Sequence, residues 1–493
     1  MSRPAASSLQ ADVAVVGAGA AGLYAALCAA REGARVVLVS ATPLARTTSY
    51  WAQGGLAAVL AADDSLELHL ADTERAGRGL VRRSAAEILV RDAPARVHDL
   101  EQLGVRFDAD RFGRLALGLE GGHSVRRVVH AGGSATGRRL LRQLSARAAE
   151  DPQVHVLEEV RASALWCREG RCLGLVCDSG DVIAAGATMI ATGGAAALWE
   201  RTTNPPGSQG VGLMLAHAAG AQLADLELLQ LHPTAVIGVR GREGFLVTEA
   251  IRGEGATLHD AAGERFVDEL APRDEVSRAI WERLRETRAA SVGLDMRKVD
   301  PAHFPNVFGA LRETGLDPAR ELVPVAPAAH YMMGGIVADL GARSTVHCLY
   351  ALGEASCTGL HGANRLASNS LSECFVFAAR AVDDALGRAA EAPPPPEPGE
   401  AEALRALPAP PAAGREIRHA LWEKAGIVRD AESLEGLLEI EHPLVREIAR
   451  CGLERRESRG AHVRSDHPER DPSLDRRHVV VEGSGELEWQ FWE

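Results

Sequence analysis

A short β-branched run, Asp12 to Val16, stops at a set of glycines, and the chain resumes from Leu23 to Arg31 as small and apolar residues with helical spacing. A strand, a glycine turn and a tightly packing helix form the pattern that turns backbone N–H groups toward a dinucleotide pyrophosphate. Gly17, Gly19, Ala20, Ala21 and Gly22 are its candidate contacts. Gly33 closes the helix, and Ala34 to Val39 reads as a second parallel strand. Ser40 follows it, where this fold normally places an acidic partner for the adenosine ribose. Two more apolar runs, Ala184 to Ala191 leading into Thr192-Gly-Gly194 and Val346 to Leu352 leading into Gly353-Glu354, predict buried strands that end at the same cofactor.

Those strands lie far apart in sequence, so the nucleotide domain must be discontinuous. The pattern predicts an α/β protein: a Rossmann-like dinucleotide-binding domain over 1–225 and 330–390 and an inserted α+β capping domain over 226–329. A Pro-, Ala- and Glu-rich semi-rigid linker over 391–414 and a C-terminal helical domain over 415–493 complete it. Helical spacing runs over Val276 to Ala289, Arg415 to Leu438 and Leu444 to Glu457.

A chain of 493 residues exceeds what one hydrophobic core serves, in keeping with two or three domains. The net charge of -13 speaks against a nucleic-acid partner. Ala11 to Ala30 is apolar enough to resemble a signal anchor, but its glycines and a start whose only basic residue is Arg3 favour a buried strand and helix. No membrane partner is expected, and the scattered cysteines fit a reducing cytoplasm. The densest set, Cys167, Cys172 and Cys177, falls in a strand-turn-strand and reads first as buried or incidental thiols, with a disulfide or metal role as the alternative.

Four stations remain: His232 in Gln-Leu-His-Pro-Thr, Arg273 in Ala-Pro-Arg-Asp, His330, and Arg365. Brought into one pocket, these cationic or hydrogen-donating groups suit a small dicarboxylate. Taken singly, each histidine could be a satisfied core residue, and Arg273 could simply cap a helix beginning near Asp274.

Seven stretches carry a specific resemblance: Ser49 to Val59, Glu120 to His130, Gln230 to Thr234, Thr248 to Gly255, Ala271 to Asp274, His330 to Gly335 and Gly359 to Leu371. With them the chain resembles the fumarate reductase and succinate dehydrogenase flavoprotein family over nearly its whole length, and within it the members that oxidise L-aspartate. The resemblance implies FAD as cofactor. Thr48 stands where the membrane-complex members carry the histidine that attaches FAD, so noncovalent binding is implied. It also implies contacts from Thr48 and Ser49, backbone approach to the isoalloxazine at Gln53, Gly54 and Gly55, and polar contacts from Ser370 and Leu371. Glu354 takes the ribose role in place of Ser40.

For the substrate, the resemblance implies carboxylate ligands at His232, Thr248, His330 and Arg365, and proton transfer by Arg273 with Glu249 and Arg252 as a relay. Glu120 discriminates. A carboxylate at the pocket pairs with an ammonium and repels a plain dicarboxylate, although a solvated loop glutamate is the plainer alternative. The implied reaction is oxidation of L-aspartate to iminoaspartate with oxygen or fumarate as acceptor, supplying quinolinate formation for NAD biosynthesis, with a functional link to quinolinate synthase. A soluble fumarate reductase or a succinate dehydrogenase flavoprotein subunit is the alternative, and a non-enzymatic flavoprotein a third. One departure stands out: where the family has Gly-Asp-Gly after Asn204-Pro-Pro, this chain has Gly210-Val211-Gly212, removing a polar group near the flavin.

Overall fold

The computed structural model describes residues 8–388 and 391–493. Its largest sheet has seven strands, with Val36–Ser40 and Val182–Ile190 flanking Ser8–Val16 in parallel register and Leu349–Ala351 pairing Val182–Ile190 from its other side. Val13 faces Val36, and Val16 faces Ile190. The strands are buried almost throughout because helices cover the sheet. Helix Ala20–Arg31 packs through Leu23, Tyr24 and Leu27 against Phe375 and Phe377 of helix Asn369–Gly387. Helix Ala20–Arg31 begins three residues earlier than the spacing predicts. Gly17 and Gly19 precede it, and Gly22 falls in its first turn.

Steric necessity explains those glycines. A side chain at Gly17, whose φ is 109°, would put Cβ 2.3 Å from the Ala191 carbonyl oxygen, and one at Gly22 would lie 1.8 Å from the Gly17 carbonyl oxygen. The turn closes between two strands and a helix only without those carbons.

The inserted segment builds its own four-stranded antiparallel sheet, in which Leu229–Val236 pairs with Val323–Met332 and Val292–Asp295 separates the latter from Thr257–His259. Its own core includes Val276, Ile280, Phe308 and Val325. Strand Val323–Met332 runs past the expected boundary, so His330 belongs to this sheet.

Two regions carry structure that composition does not show. The proline-rich segment carries helix Pro398–Arg405, and Glu400 accepts hydrogen bonds from Trp166 Nε1 at 3.0 Å and Arg168. Composition alone hid these anchors. The C-terminal region is also not purely helical. After helices Arg415–Lys424, Ala431–Leu438 and Pro443–Glu454 it ends in a hairpin, Arg477–Val481 with Leu487–Phe491, that joins a five-stranded sheet through Leu223–Ala224. Arg455, fully buried, pairs with Glu227 at 2.6 Å and Glu457 at 3.1 Å, tying this region to the base of the cap. Removing one partner of such a buried pair costs more than the pair contributes, so the union is specific.

Candidate active site

Where strand Leu229–Val236 meets Val323–Met332, the register slips between Gln230 and Leu231: Gln230 faces Tyr331, but Leu231 faces Ala329. His330 is the extra residue of that bulge, and bulges re-aim side chains. Its ring meets that of His232 edge-on, with centroids 5.1 Å apart at 71°. Two histidines nearly one hundred residues apart thus form one wall.

Each imidazole is held neutral. Burial and the nearby arginines push the pKa of both rings well below the ordinary histidine value. His232 Nδ1 accepts from the Thr234 backbone N–H at 3.3 Å, which leaves Nε2 carrying the proton, buried and without a partner. His330 Nδ1 lies 2.8 Å from Thr203 Oγ1. The wall is therefore uncharged, and His232 offers it an N–H donor.

Positive charge comes from two arginines. Arg273 is the first residue of helix Arg273–Thr287 and is buried, with Nε donating to Glu249 at 2.7 Å and one terminal nitrogen to Gln230 Oε1 at 3.1 Å. Arg365 donates to the same Gln230 oxygen at 3.1 Å and to Ser370 Oγ at 3.0 Å, while its guanidinium stands 4.7 Å from the Tyr331 ring centre. Its Nε is buried and unpaired. Burial and the neighbouring Arg273 lower its pKa to about 10, so it stays charged at neutral pH.

Glu249 opens the short helix Glu249–Gly253, with Thr248 buried at the N-cap position and Arg252 3.3 Å from the other Glu249 oxygen. Arg252 also donates to the Glu269 carbonyl. Arg273, Glu249 and Arg252 form an unbroken chain of ion pairs.

Glu120 completes the cavity and is 4% exposed, which rules out the solvated-loop alternative. It accepts from Ser368 Oγ at 2.6 Å and has His130 Nε2 at 3.4 Å. Burial raises its pKa, but His130, Ser368 and Arg273 outweigh that and bring it to about 2, so the group is a carboxylate. Ser368 in turn receives the Gly55 backbone N–H at 3.0 Å. A Cβ at Gly54 would lie 3.5 Å from Glu120, so glycine turn and carboxylate share one wall.

The dinucleotide cleft starts at Gly19, which caps helix Ala20–Arg31 without a side-chain hydrogen bond and with no acidic residue in the first turn. Ser49 Oγ accepts from the Ala20 N–H at 3.2 Å, and Thr48 Oγ1 lies 2.8 Å from Ser208 Oγ. Gln53 donates to the Leu246 carbonyl, leaving its Oε1 buried and unpaired, as is Thr192 Oγ1. Leu371 is buried in helix Asn369–Gly387. The carbon-free cradle and these orphaned polar atoms fit a bound dinucleotide.

Glu354 stands elsewhere than the ribose role requires. Ser40 ends the strand on one side of Ser8–Val16, whereas Glu354 follows the strand beyond Val182–Ile190, three strand spacings or roughly 14 Å away. It accepts from the Met332 N–H at 3.0 Å and packs on Gly194, with burial raising its pKa to about 7. Ser40 itself donates to the Thr42 carbonyl at 2.6 Å. Val211 begins helix Val211–Ala218, and the neighbouring Gly212 is pressed on Thr192, whose hydroxyl is the polar group left there.

Sequence reasoning passed over Gln230, Ser368 and His130 as individual site residues. Gln230 sits two positions from His232 in the same strand motif, the spacing that puts both on one face, and that signal was available.

Residues 12–371 match the FAD binding domain family, and residues 443–491 match the fumarate reductase flavoprotein C-terminal family. A Caulobacter vibrioides L-aspartate oxidase is 43% identical over 500 residues, spanning 95% of this chain and 96% of that protein. The chain belongs to the L-aspartate oxidase family of flavoproteins. A second member of that family, from Agrobacterium fabrum, is 42% identical, with 95% of this chain and 93% of that protein covered. Among solved structures, an E. coli quinol fumarate reductase FrdA variant superposes with a TM-score of 0.88 at 29% identity, covering 99% of this chain and 97% of that one. L-Aspartate oxidase relatives and fumarate reductase thus share the fold, and the pocket must separate them.

Proposed function

We propose that the chain is an FAD-dependent oxidase of L-aspartate, producing iminoaspartate. The observation that carries this reading is Glu120: a buried carboxylate beside two arginines and two neutral histidines matches a substrate with two carboxylates and one ammonium. In this reading Arg365 takes one carboxylate, and its planar fork suits the two oxygens. His232, His330 and Thr248 take the other end, with Glu120 on the ammonium.

Gly17–Gly22, Ser49, Gln53–Gly55, Glu354, Ser370 and Leu371 would hold FAD noncovalently, and bound there it would supply the two-electron acceptor, with oxygen, giving hydrogen peroxide, or fumarate, giving succinate, as the final oxidant. The residues hold the Cα–H bond in a fixed pose and exclude water from the neutral histidine wall. In this reading Arg273 handles the proton, with Glu249 and Arg252, paired to it in sequence, carrying it outward. A guanidinium keeps its proton and so is a poor proton acceptor, and in aspartate oxidation Arg273 acts first as a binding group, taking the acid role in fumarate reduction.

A succinate dehydrogenase role fits less well, because Glu120 would face a substrate without an ammonium. Among the described residues no helix is long and apolar enough to cross a membrane. The iminoaspartate would feed quinolinate formation in NAD biosynthesis, with the cytoplasm as the setting and quinolinate synthase as the functional partner. Oxygen-electrode turnover tests the reading: L-aspartate should consume oxygen and release hydrogen peroxide, and succinate should not. Oxygen uptake with succinate but not L-aspartate would reverse it.

A further inference from the structure

Outside the site, strands Ala162–Arg168 and Arg171–Cys177 form a hairpin at the edge of the large sheet. Its turn residues, Glu169 with φ 50° and Gly170 with φ 74°, are both left-handed, the signature of a two-residue type I′ turn. That turn fixes the register, making Arg168 and Arg171 the closing pair and placing Cys167 directly opposite Cys172. The Cys172 N–H does not bond across to Cys167. It donates at 2.9 Å to the His347 carbonyl on the other side.

Cys167 and Cys172 therefore occupy a non-hydrogen-bonded pair, the cross-strand position where Cα atoms approach to about 4.5 Å and side chains share a face. That spacing lies inside the range a disulfide bridges, so closure requires no backbone shift. The thiols stand within hydrogen-bonding range of each other. Their environments differ: Cys167 is partly exposed, while Cys172 is 1% exposed. The buried Thr188 hydroxyl, with no oxygen or nitrogen partner, lies against the Cys172 sulfur. Cys177, the third cysteine of the cluster, faces Ala162 instead.

We propose that Cys167 and Cys172 are a peroxide-reactive dithiol that closes to a cross-strand disulfide. The contact between the sulfurs lowers the Cys172 pKa and raises that of Cys167, so Cys172 gives up its proton first and takes the Cys167 proton as Cys167, the sulfur that solvent can reach, attacks hydrogen peroxide: the Cys167 sulfur takes one oxygen, the O–O bond breaks and water leaves. Cys172 then attacks the Cys167 sulfenic sulfur, the S–S bond forms and the second water departs. Two thiols lose two electrons, and one peroxide becomes two waters. The oxidant is the by-product of oxygen reduction under the proposed function, so the local source, though not the dithiol chemistry, rests on that reading.

The test uses the full-length FAD-loaded protein, treated with hydrogen peroxide and, separately, with L-aspartate in air with and without catalase. Thiols are counted after denaturation and peptides mapped without reduction. Added peroxide should lower the count by two from the eight cysteines present and link the Cys167 and Cys172 peptides. Cys172→Ser should leave a sulfenic acid on Cys167 that dimedone traps, and Cys167→Ser should keep all its remaining thiols. An unchanged count with added peroxide, or a bond from Cys172 to Cys348, overturns the proposal. A disulfide with added peroxide but none during aerobic turnover upholds the dithiol and counts against the oxidase reading.

Discussion

Arg273 and Arg365 donate to the same oxygen, Gln230 Oε1, each at 3.1 Å. One neutral carboxamide holds two guanidinium groups side by side without cancelling their charge. Its own NH2 group is used on Asn364 and the Arg365 carbonyl, both at 2.8 Å, so the amide cannot turn. Gln230→Glu would put a carboxylate where a substrate carboxylate is needed. KM for L-aspartate should rise at least tenfold, with flavin content unchanged. An unaltered KM would remove Gln230 from the pocket's electrostatics.

Glu120→Gln removes the charge facing the ammonium and keeps the shape. A hydrogen bond to a charged group contributes about 1.5 to 3 kcal/mol, which corresponds to roughly 13- to 160-fold in kcat/KM. L-Aspartate oxidation should fall by that factor, and fumarate reduction by far less. Parallel kinetics on the two reactions check it, and equal losses would mean that Glu120 only supports Ser368 and Gly55.

Arg365→Lys keeps a cation but loses the fork and the stacking on Tyr331. L-Aspartate KM should rise by roughly tenfold or more, since one bidentate contact becomes a single point charge. The variant's melting temperature serves as the control for folding.

Acidification should weaken the fold. His69, lowered to about 3 by burial, and His232, His330 and His462, held well below the ordinary histidine value by burial and adjacent arginines, are neutral when folded but protonate near 6.5 when unfolded. The unfolded chain then binds more protons below pH 6.5, so their contribution is full above that pH and declines by about 1.4 kcal/mol per unit for each ring below it. Glu227 and Glu354, both raised to about 7, act oppositely, stabilising the fold more as pH falls toward the ordinary carboxyl range. Four rings outweigh two carboxyls. Thermal melts at pH 7.5 and 5.5 should show the lower melting temperature at pH 5.5, and a higher one would reverse the protonation assignment.

What was legible in the sequence follows from the range of the interactions involved. The glycine turn was legible because Gly17 and Gly22 are dictated by contacts within a few residues and one neighbouring strand. The strands at 182–190 and 349–351 announced themselves as apolar runs. The C-terminal hairpin did not, because Arg477–Val481 is a strand through its pairing with Leu223–Ala224, far away in sequence. Helix Pro398–Arg405 was hidden by the prolines before it, and only its dock on Trp166 reveals that the segment is anchored. In the site, residue types and motifs pointed to His232, Arg273, His330 and Arg365, yet the bulge that aims His330 depends on a register between two strands. Glu354 was misplaced for the same reason: strand order cannot be read from a linear chain.

Thr48, within hydrogen-bonding reach of Ser208, has no nucleophilic ring to bond the flavin. Acid precipitation should release all yellow colour into the supernatant, and colour retained in the pellet would show a covalent link.

The central claim is that the pocket selects a dicarboxylate bearing an ammonium at Cα. Anaerobic stopped-flow mixing of the FAD-loaded protein with L-aspartate, D-aspartate or succinate tests it directly, by following loss of the oxidised flavin band. Rapid bleaching by L-aspartate alone is the result the account predicts; equal bleaching by succinate, or none by L-aspartate, would contradict it.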